Sequence, residues 1–118
     1  MDKLDLIFDR QRALDTDIAT RRHLSFTPEE WIQKCVLAMV AELGEVLEEA
    51  RFKWWKNPEP TDEAALKDEL VDVLHFFVSM CIRSGMSADE LYRLYIEKNK
   101  ENVDRQYGRS QKPGYEVK

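Results

Sequence analysis

Glu42 and Glu45 stand three residues apart, as do Glu69 and Asp72. On a helix this spacing puts the two carboxylates of a pair on one face, one turn apart. Both pairs sit in stretches that otherwise read as buried helix. Glu42 follows Val36-Leu37-Ala38-Met39-Val40-Ala41, and Asp72 lies between Val71 and Val73. Four carboxylates converging between two packed helices repel one another, and burying them unpaired carries a penalty on the order of several kcal/mol or raises their pKa values. A hard divalent cation such as Mg2+ removes the conflict, because it favours oxygen ligands and keeps waters for chemistry on a phosphate. No Lys or Arg lies within a helical turn of Asp72, and His75 is the only neighbouring group able to pair with it. An isolated acidic pair is common on solvated helices, so the apolar surroundings carry this reading.

Other polar and aromatic groups have two readings each. In Phe52-Lys53-Trp54-Trp55-Lys56, adjacent tryptophans cannot both face one core. An indole face stacks on a nucleobase and lysines meet phosphate, but the same patch also serves as a subunit contact or hydrophobic cap. Lys98, Asn99, Asn102 and Arg105 lie near one another on a C-terminal helix. They read either as a solvated basic helix end or as a phosphate-binding face, with Arg105 as a fork and Lys98 as a point charge. Gln11 and Asp15 are one turn apart. A glutamine amide can read a pyrimidine edge because it donates and accepts, although surface polarity is the simpler reading of this pair alone. His75 reads as a hydrogen-bonded core histidine. No Ser-His-Asp order, phosphate-cradling glycine loop or zinc-ligand spacing is present.

Four helices must position these groups. Leu4, Ile7, Phe8, Leu14 and Ile18 predict a helix from about Asp2 to Thr20. Thr27-Pro28-Glu29-Glu30 is a capping box with proline in the first turn, and it opens a second helix expected to end around Phe52 to Lys56. Asn57-Pro58-Glu59-Pro60 breaks the chain. A third helix starts near Thr61 or Asp62 and runs to about Ser84, with Gly85 as a left-handed stop. Ser87-Ala88-Asp89-Glu90 is a second capping box, opening a helix to about Arg105, followed by an irregular tail over about 107–118. The third helix is apolar nearly all round and needs cover on several sides. The expectation is therefore an all-α four-helix bundle, one domain over 1–118, completed by a second copy as a homodimer or dimer of dimers.

The 118 residues include 43% hydrophobic and 35% charged residues, which fits a helix-rich globule. A formal net charge of -5 argues against a nucleic-acid partner. Cys35 and Cys81 lie in apolar helical stretches and read as buried free thiols of a reducing compartment. The N-terminus does not read as a signal peptide, and the longest apolar run, Leu70 to Ile82, is too short to span a bilayer. The expected location is cytoplasmic, with no membrane partner.

Taken together, Glu42-x-x-Glu45 and Glu69-x-x-Asp72 resemble the paired acidic motifs of the all-alpha nucleoside triphosphate pyrophosphatases, a superfamily that includes MazG-like enzymes and the dimeric all-helical dUTPases. The dUTPase branch looks closest. Gln11-x-x-Leu14-Asp15 is similar to its uracil-reading motif, Glu69-Leu70-Val71-Asp72-Val73-Leu74-His75-Phe76 resembles its third-helix signature, and Lys98-Asn99-x-x-Asn102-x-x-Arg105-Gln106 with Gly114-Tyr115 resembles its C-terminal motif. Some dimeric dUTPases carry asparagine where Asp15 stands, and longer members have insertions that this chain lacks.

The resemblance implies hydrolysis of a nucleoside triphosphate, dUTP first, to the monophosphate and pyrophosphate. Glu42, Glu45, Glu69 and Asp72 would hold two or more Mg2+ ions, with Mn2+ as a substitute. Glu42 would also orient or deprotonate water, and Glu45 would bridge metals. Asn99 and Asn102 fall in the substrate-binding C-terminal motif, Asn102 completing the metal shell or touching nucleotide. Lys98 and Arg105 would grip phosphates with help from Lys53 and Lys56, and Trp54 or Trp55 would wall the base pocket. A broad MazG-like dNTP pyrophosphatase, a non-catalytic nucleotide sensor and a helical interaction module are the competing readings.

Overall fold

In the computed structural model, which describes residues 1–117, four helices follow in order: α1 (Lys3–Arg21), α2 (Pro28–Glu49), α3 (Glu63–Arg83) and α4 (Ala88–Gln106). No strand occurs among the described residues. The all-α expectation holds.

The starts of the helices are written in their caps. At α2 the capping box is complete: the Thr27 hydroxyl accepts from the Glu30 N–H at 3.1 Å, and the Glu30 carboxylate accepts from the Thr27 N–H at 3.3 Å. α1 opens the same way, with Asp2 and Asp5 exchanging side-chain and backbone bonds at 2.9 and 3.2 Å. Asp62 caps α3 by accepting from the Ala65 N–H. At α4 only half of the expected box forms: Ser87 accepts from the Glu90 N–H, and no return bond from the Glu90 side chain is made.

One boundary differs clearly from expectation. α2 ends at Glu49, several residues before the aromatic run. Arg51 adopts a left-handed conformation at φ 56, the Phe52 N–H donates to the Leu47 carbonyl at 3.3 Å, and the Arg51 N–H donates to the Glu48 carbonyl at 3.1 Å. This 6→1 and 5→2 pair closes the helix end and turns the chain. It places Phe52, Trp54 and Trp55 on the α2–α3 connection, where they stack edge-on, Phe52 on Trp55 at 5.9 Å and Trp54 on Trp55 at 4.7 Å. The same closure ends α1, with His23 at φ 54 and the Leu24 N–H reaching the Ala19 carbonyl at 2.9 Å.

The chain forms two compact units, one over residues 1–85 and one from Met86 onward. Within the first, α3 packs along α2 and also against α1. Phe8 and Val78 are fully buried there, joined by Cys35 and Cys81, both free thiols as expected. Full burial of a Phe or Val is worth about 1.5–3 kcal/mol each. The apolar surface of α3 is only partly covered: Leu70, Val71, Leu74 and Phe77 remain exposed. The second unit holds α4 and its tail, where Glu101 accepts from Ser110 and from Arg105, and Asp104 accepts from Lys100 and Arg109. These bonds hold the Glu101 and Asp104 carboxyls below their ordinary pKa values. No single helix is long and apolar enough to cross a membrane.

Thr27→Ala removes one side of the α2 capping box. Urea unfolding followed by circular dichroism should show a loss of about 1 kcal/mol, with the slope of the transition unchanged.

Candidate functional site

Glu42 of α2 and Glu69 and Asp72 of α3 meet between the two helices. One carboxylate oxygen from each lies within 4.8 Å of the others, and all three side chains are half-buried. No salt bridge involves any of them among the described residues. His75, the only neighbouring residue expected to pair with Asp72, is hydrogen-bonded to Gln11 instead. Partial burial, a shared hydrogen bond with Glu42 and the charges of Asp72, Glu42 and Glu45 push the Glu69 carboxyl above its ordinary value. Three unneutralised oxygens at this spacing form a donor set for a hard divalent cation. Glu45 is exposed and lies outside this tight set, close enough to act on Glu69 through its charge.

The cation set opens into a cleft of about 420 Å³ whose lining comes from all three helices of the first unit. α1 supplies Gln11, Leu14, Asp15 and Ile18; α2 supplies Trp31, Cys35 and Glu42; α3 supplies Asp72, His75, Phe76 and Ser79. Each set follows helical spacing, so three stripes face one space. Gln11 and Ser79 are the buried polar residues of the described chain, at 6% and 4% exposure. Both belong to one hydrogen-bonded chain. The Gln11 amide nitrogen donates to Asp15 Oδ1 at 2.9 Å, Ser79 Oγ donates to Asp15 Oδ2 at 2.6 Å, and Cys35 Sγ lies 3.6 Å from Ser79 Oγ. His75 Nδ1 lies 2.6 Å from Gln11 Oε1. His75 is thus hydrogen-bonded as expected, but it is exposed on the cleft wall and not in the core. α1 meets α3 through this polar chain, which leaves the ring with one edge bonded and the other open.

The remaining expected site residues fall elsewhere. Trp54 and Trp55 are 84% and 60% exposed and do not line the cleft. Lys53 pairs with Glu48 at 3.2 Å and Lys56 with Glu59 at 3.9 Å, and both border a separate hollow of about 50 Å³. Lys98, Asn99 and Asn102 are exposed on α4 in the second unit. Arg105 there bonds Glu101 at 3.3 Å, with its guanidinium carbon 5.2 Å from the Tyr115 ring centre. Besides Phe76 of α3, the aromatic group that does wall the cleft is Trp31. It packs edge-on against Phe26 at 5.0 Å, and Arg83 sits over its face at 4.5 Å. Neither Trp31 nor Ser79 stands out among the candidate site residues of the sequence. The signal was the spacing: Trp31, Cys35 and Glu42 are four and then seven residues apart, which keeps them on one helix face.

Residues 3–88 match the sequence profile of a family described as dUTPase. The chain belongs to this all-helical dUTPase family. The match covers α1, α2 and α3 in full and stops at the first residue of α4. The chain is 29% identical to a dCTP pyrophosphatase of Enterobacteria phage T4 over 138 aligned positions, spanning 89% of this chain and 81% of that protein. Those positions outnumber this chain's residues, so the phage protein carries inserted segments. A dCTP pyrophosphatase of Enterobacteria phage LZ5 is 43% identical over 58 residues, 49% of this chain and 34% of that protein. A T4 DNA replication protein is 28% identical over 84% of this chain, again across only 34% of its own length. No solved structure matches significantly. Membership in the dUTPase family makes the chain a nucleotide pyrophosphatase-type hydrolase, a class that works with divalent metals, and the acidic set of α2 and α3 fits that requirement.

The raised Glu69 carboxyl makes a pH prediction for this dUTPase-family chain. Its proton is held more tightly in the folded than in the unfolded protein, so its contribution to stability is present below the ordinary value of 4.5 and is lost as pH rises through the raised folded value. In metal-free buffer, Glu69→Gln should show a smaller fall in melting temperature than the parent as pH rises from 4.5 toward neutrality. Adding Mg2+ at neutral pH should raise the parent's melting temperature more than the variant's. Identical pH profiles for the two proteins would contradict the repulsion described.

Proposed function

We propose that this chain hydrolyses a pyrimidine deoxynucleoside triphosphate to the monophosphate and pyrophosphate, with Mg2+ held by Glu42, Glu69 and Asp72, and with Glu45 recruited when the triphosphate brings further metal. The observation that carries this reading is that Glu42 and Asp72 of the uncompensated carboxylate set line the same cleft as a buried polar chain. Mg2+ there, or Mn2+ in its place, would lower the pKa of a bound water and offset the charge of the triphosphate. The residues of the chain do the rest. Glu42 takes the proton of the attacking water as its oxygen bonds to the α-phosphorus, the bond to the α–β bridging oxygen breaks, and pyrophosphate leaves. Trp31 offers an aromatic wall for the base, and Gln11 and Asp15 meet its polar edge. Lys53 and Lys56 supply positive charge for the phosphates, and in the second unit Lys98, Asn99, Asn102 and Arg105 of α4 carry charge and amides suited to phosphate.

The family description supports dUTP as substrate, and the two phage relatives named dCTP pyrophosphatase support dCTP. A pyrophosphate-release panel with Mg2+ over dUTP, dCTP, dTTP, dATP, dGTP and UTP separates these from a broad housecleaning enzyme, which would give a flat profile. No release from any nucleotide would favour a sensor or an interaction module. Such an enzyme would draw its substrate from the cytoplasmic nucleotide pool.

A second copy of the chain is part of the same proposal. Val36, Leu37, Val40, Leu43 and Leu47 form an exposed apolar stripe along α2, with Leu37 71% exposed. Such a surface is more extensive than a solvated helix needs, and a symmetric partner buries the same stripe on both copies across a two-fold axis. Light scattering should give the mass of a dimer or a dimer of dimers. Leu37→Glu should shift the population toward monomer, and an unchanged mass would contradict an interface through α2.

Asp72→Ala should lower kcat/KM for the preferred nucleotide at least about 100-fold at saturating Mg2+, since even outer-shell partners of a metal cost 10–100-fold. Glu45→Ala should also abolish turnover. Circular dichroism should show the helices intact in both. Parent-level turnover in either variant would contradict the metal assignment.

A further inference from the structure

Arg83 ends α3 and is half-buried, yet it takes part in no salt bridge among the described residues. Its Nε is the one buried side-chain polar atom there without a hydrogen-bond partner. A buried donor without an acceptor is costly, so the guanidinium needs another reason to stay. Trp31 supplies it: the guanidinium carbon lies 4.5 Å from the centre of the indole ring. A planar guanidinium stacks on an aromatic face, and partial burial strengthens that attraction by excluding water. The same indole packs perpendicular to Phe26 at 5.0 Å, and Lys34 sits 4.5 Å over the Phe26 ring. Trp31 is therefore held by two neighbours, one of them a cation with no other partner.

Trp31 lines the cleft and Arg83 does not, so Arg83 reaches the cleft only through the indole. Arg83 stands eleven residues after Asp72 on α3, and Trp31 eleven before Glu42 on α2, roughly 16 Å of helix in each case. That separation keeps the stacked pair away from the cation set. We propose that Arg83 is a positioning residue: it clamps Trp31 as a rigid wall at the end of the cleft away from the carboxylates, and the clamp sets how tightly the nucleoside part of the substrate is held. The proposal rests on the nucleotide-hydrolase reading of the cleft. An indole already ordered loses little rotamer freedom when a ligand packs on it, whereas a loose one must be ordered on binding. The packing is the same before and during cleavage at phosphorus, so losing the clamp raises KM and spares kcat.

The test measures kcat and KM for the preferred nucleotide in the parent, Arg83→Met, Arg83→Lys, Trp31→Leu and the double variant Trp31→Leu/Arg83→Met. Arg83→Met keeps an apolar stem and removes the orphaned donor. It should raise KM about fivefold, the size of a partly desolvated cation–π contact, with kcat within about twofold. Arg83→Lys keeps the charge without the planar fork and should fall between Arg83→Met and the parent. In the Trp31→Leu protein, Arg83→Met should change KM less than about twofold, because nothing is left to clamp. The inhibition constant of magnesium imidodiphosphate, which has no base, should stay within about twofold of the parent in Arg83→Met. An unchanged KM in Arg83→Met, an equal fall in kcat, a KM in Arg83→Lys above that of Arg83→Met, a full effect without Trp31, or an imidodiphosphate constant that moves with KM would overturn the proposal. Failure of the underlying function is read separately, as no turnover of any nucleotide by the parent. In that case fluorescence decides the clamp. Trp54→Phe with Trp55→Phe leaves Trp31 as the sole survivor of the three tryptophans. Adding Arg83→Met to that protein should lower its emission anisotropy and raise its quenching by acrylamide, and unchanged values would overturn the clamp.

Discussion

Three carboxylates held within 4.8 Å of one another, with no basic partner among the described residues, are a standing electrostatic cost that the packing of α2 against α3 imposes. Glu42 is fixed by its place on α2, and Glu69 and Asp72 by theirs on α3. The response inside the protein is visible at Glu69, whose carboxyl is pushed up and shares a hydrogen bond with Glu42. A cation is the group that turns this repulsion into binding energy. Folding therefore does the work of concentrating charge, and the ligand recovers it.

The polar part of the cleft lining is organised by a second constraint. Asp15 is an acceptor only, and its demands propagate through Gln11 to His75 and through Ser79 to Cys35. The chain of bonds joins α1 to α3 and gives polar groups at 6% and 4% exposure their partners. It stabilises the packing of α1 and, in the same stroke, fixes which groups remain free to meet a ligand.

Much of this was legible in the residues. The acidic pairs could be placed on helix faces because three-residue spacing has one meaning on a helix, and the α2 capping box at Thr27 and Glu30 formed as its spacing requires. The convergence of Glu42 with Glu69 and Asp72 followed from their apolar surroundings. What spacing along one helix does not show is which stripe of one helix meets which stripe of another. Trp31 and Ser79 look like ordinary α2 and α3 residues until the helices are docked, and only then do they line one cleft with Asp15 and Glu42. The aromatic run at Phe52 to Trp55 misled for a local reason. The left-handed Arg51 ends α2 before it, so helical spacing no longer says where those rings point.

The central claim is that one cleft joins the cation set to the Gln11–Asp15–His75 wall. Paramagnetic broadening by Mn2+ tests it most directly, because broadening falls steeply with distance from the ion. At substoichiometric Mn2+, the His75 ring and the Gln11 side-chain amide should broaden together and early, and Glu42→Gln should remove the effect. Unchanged His75 and Gln11 signals, with broadening at exposed surface acids such as Glu59 instead, would contradict the account.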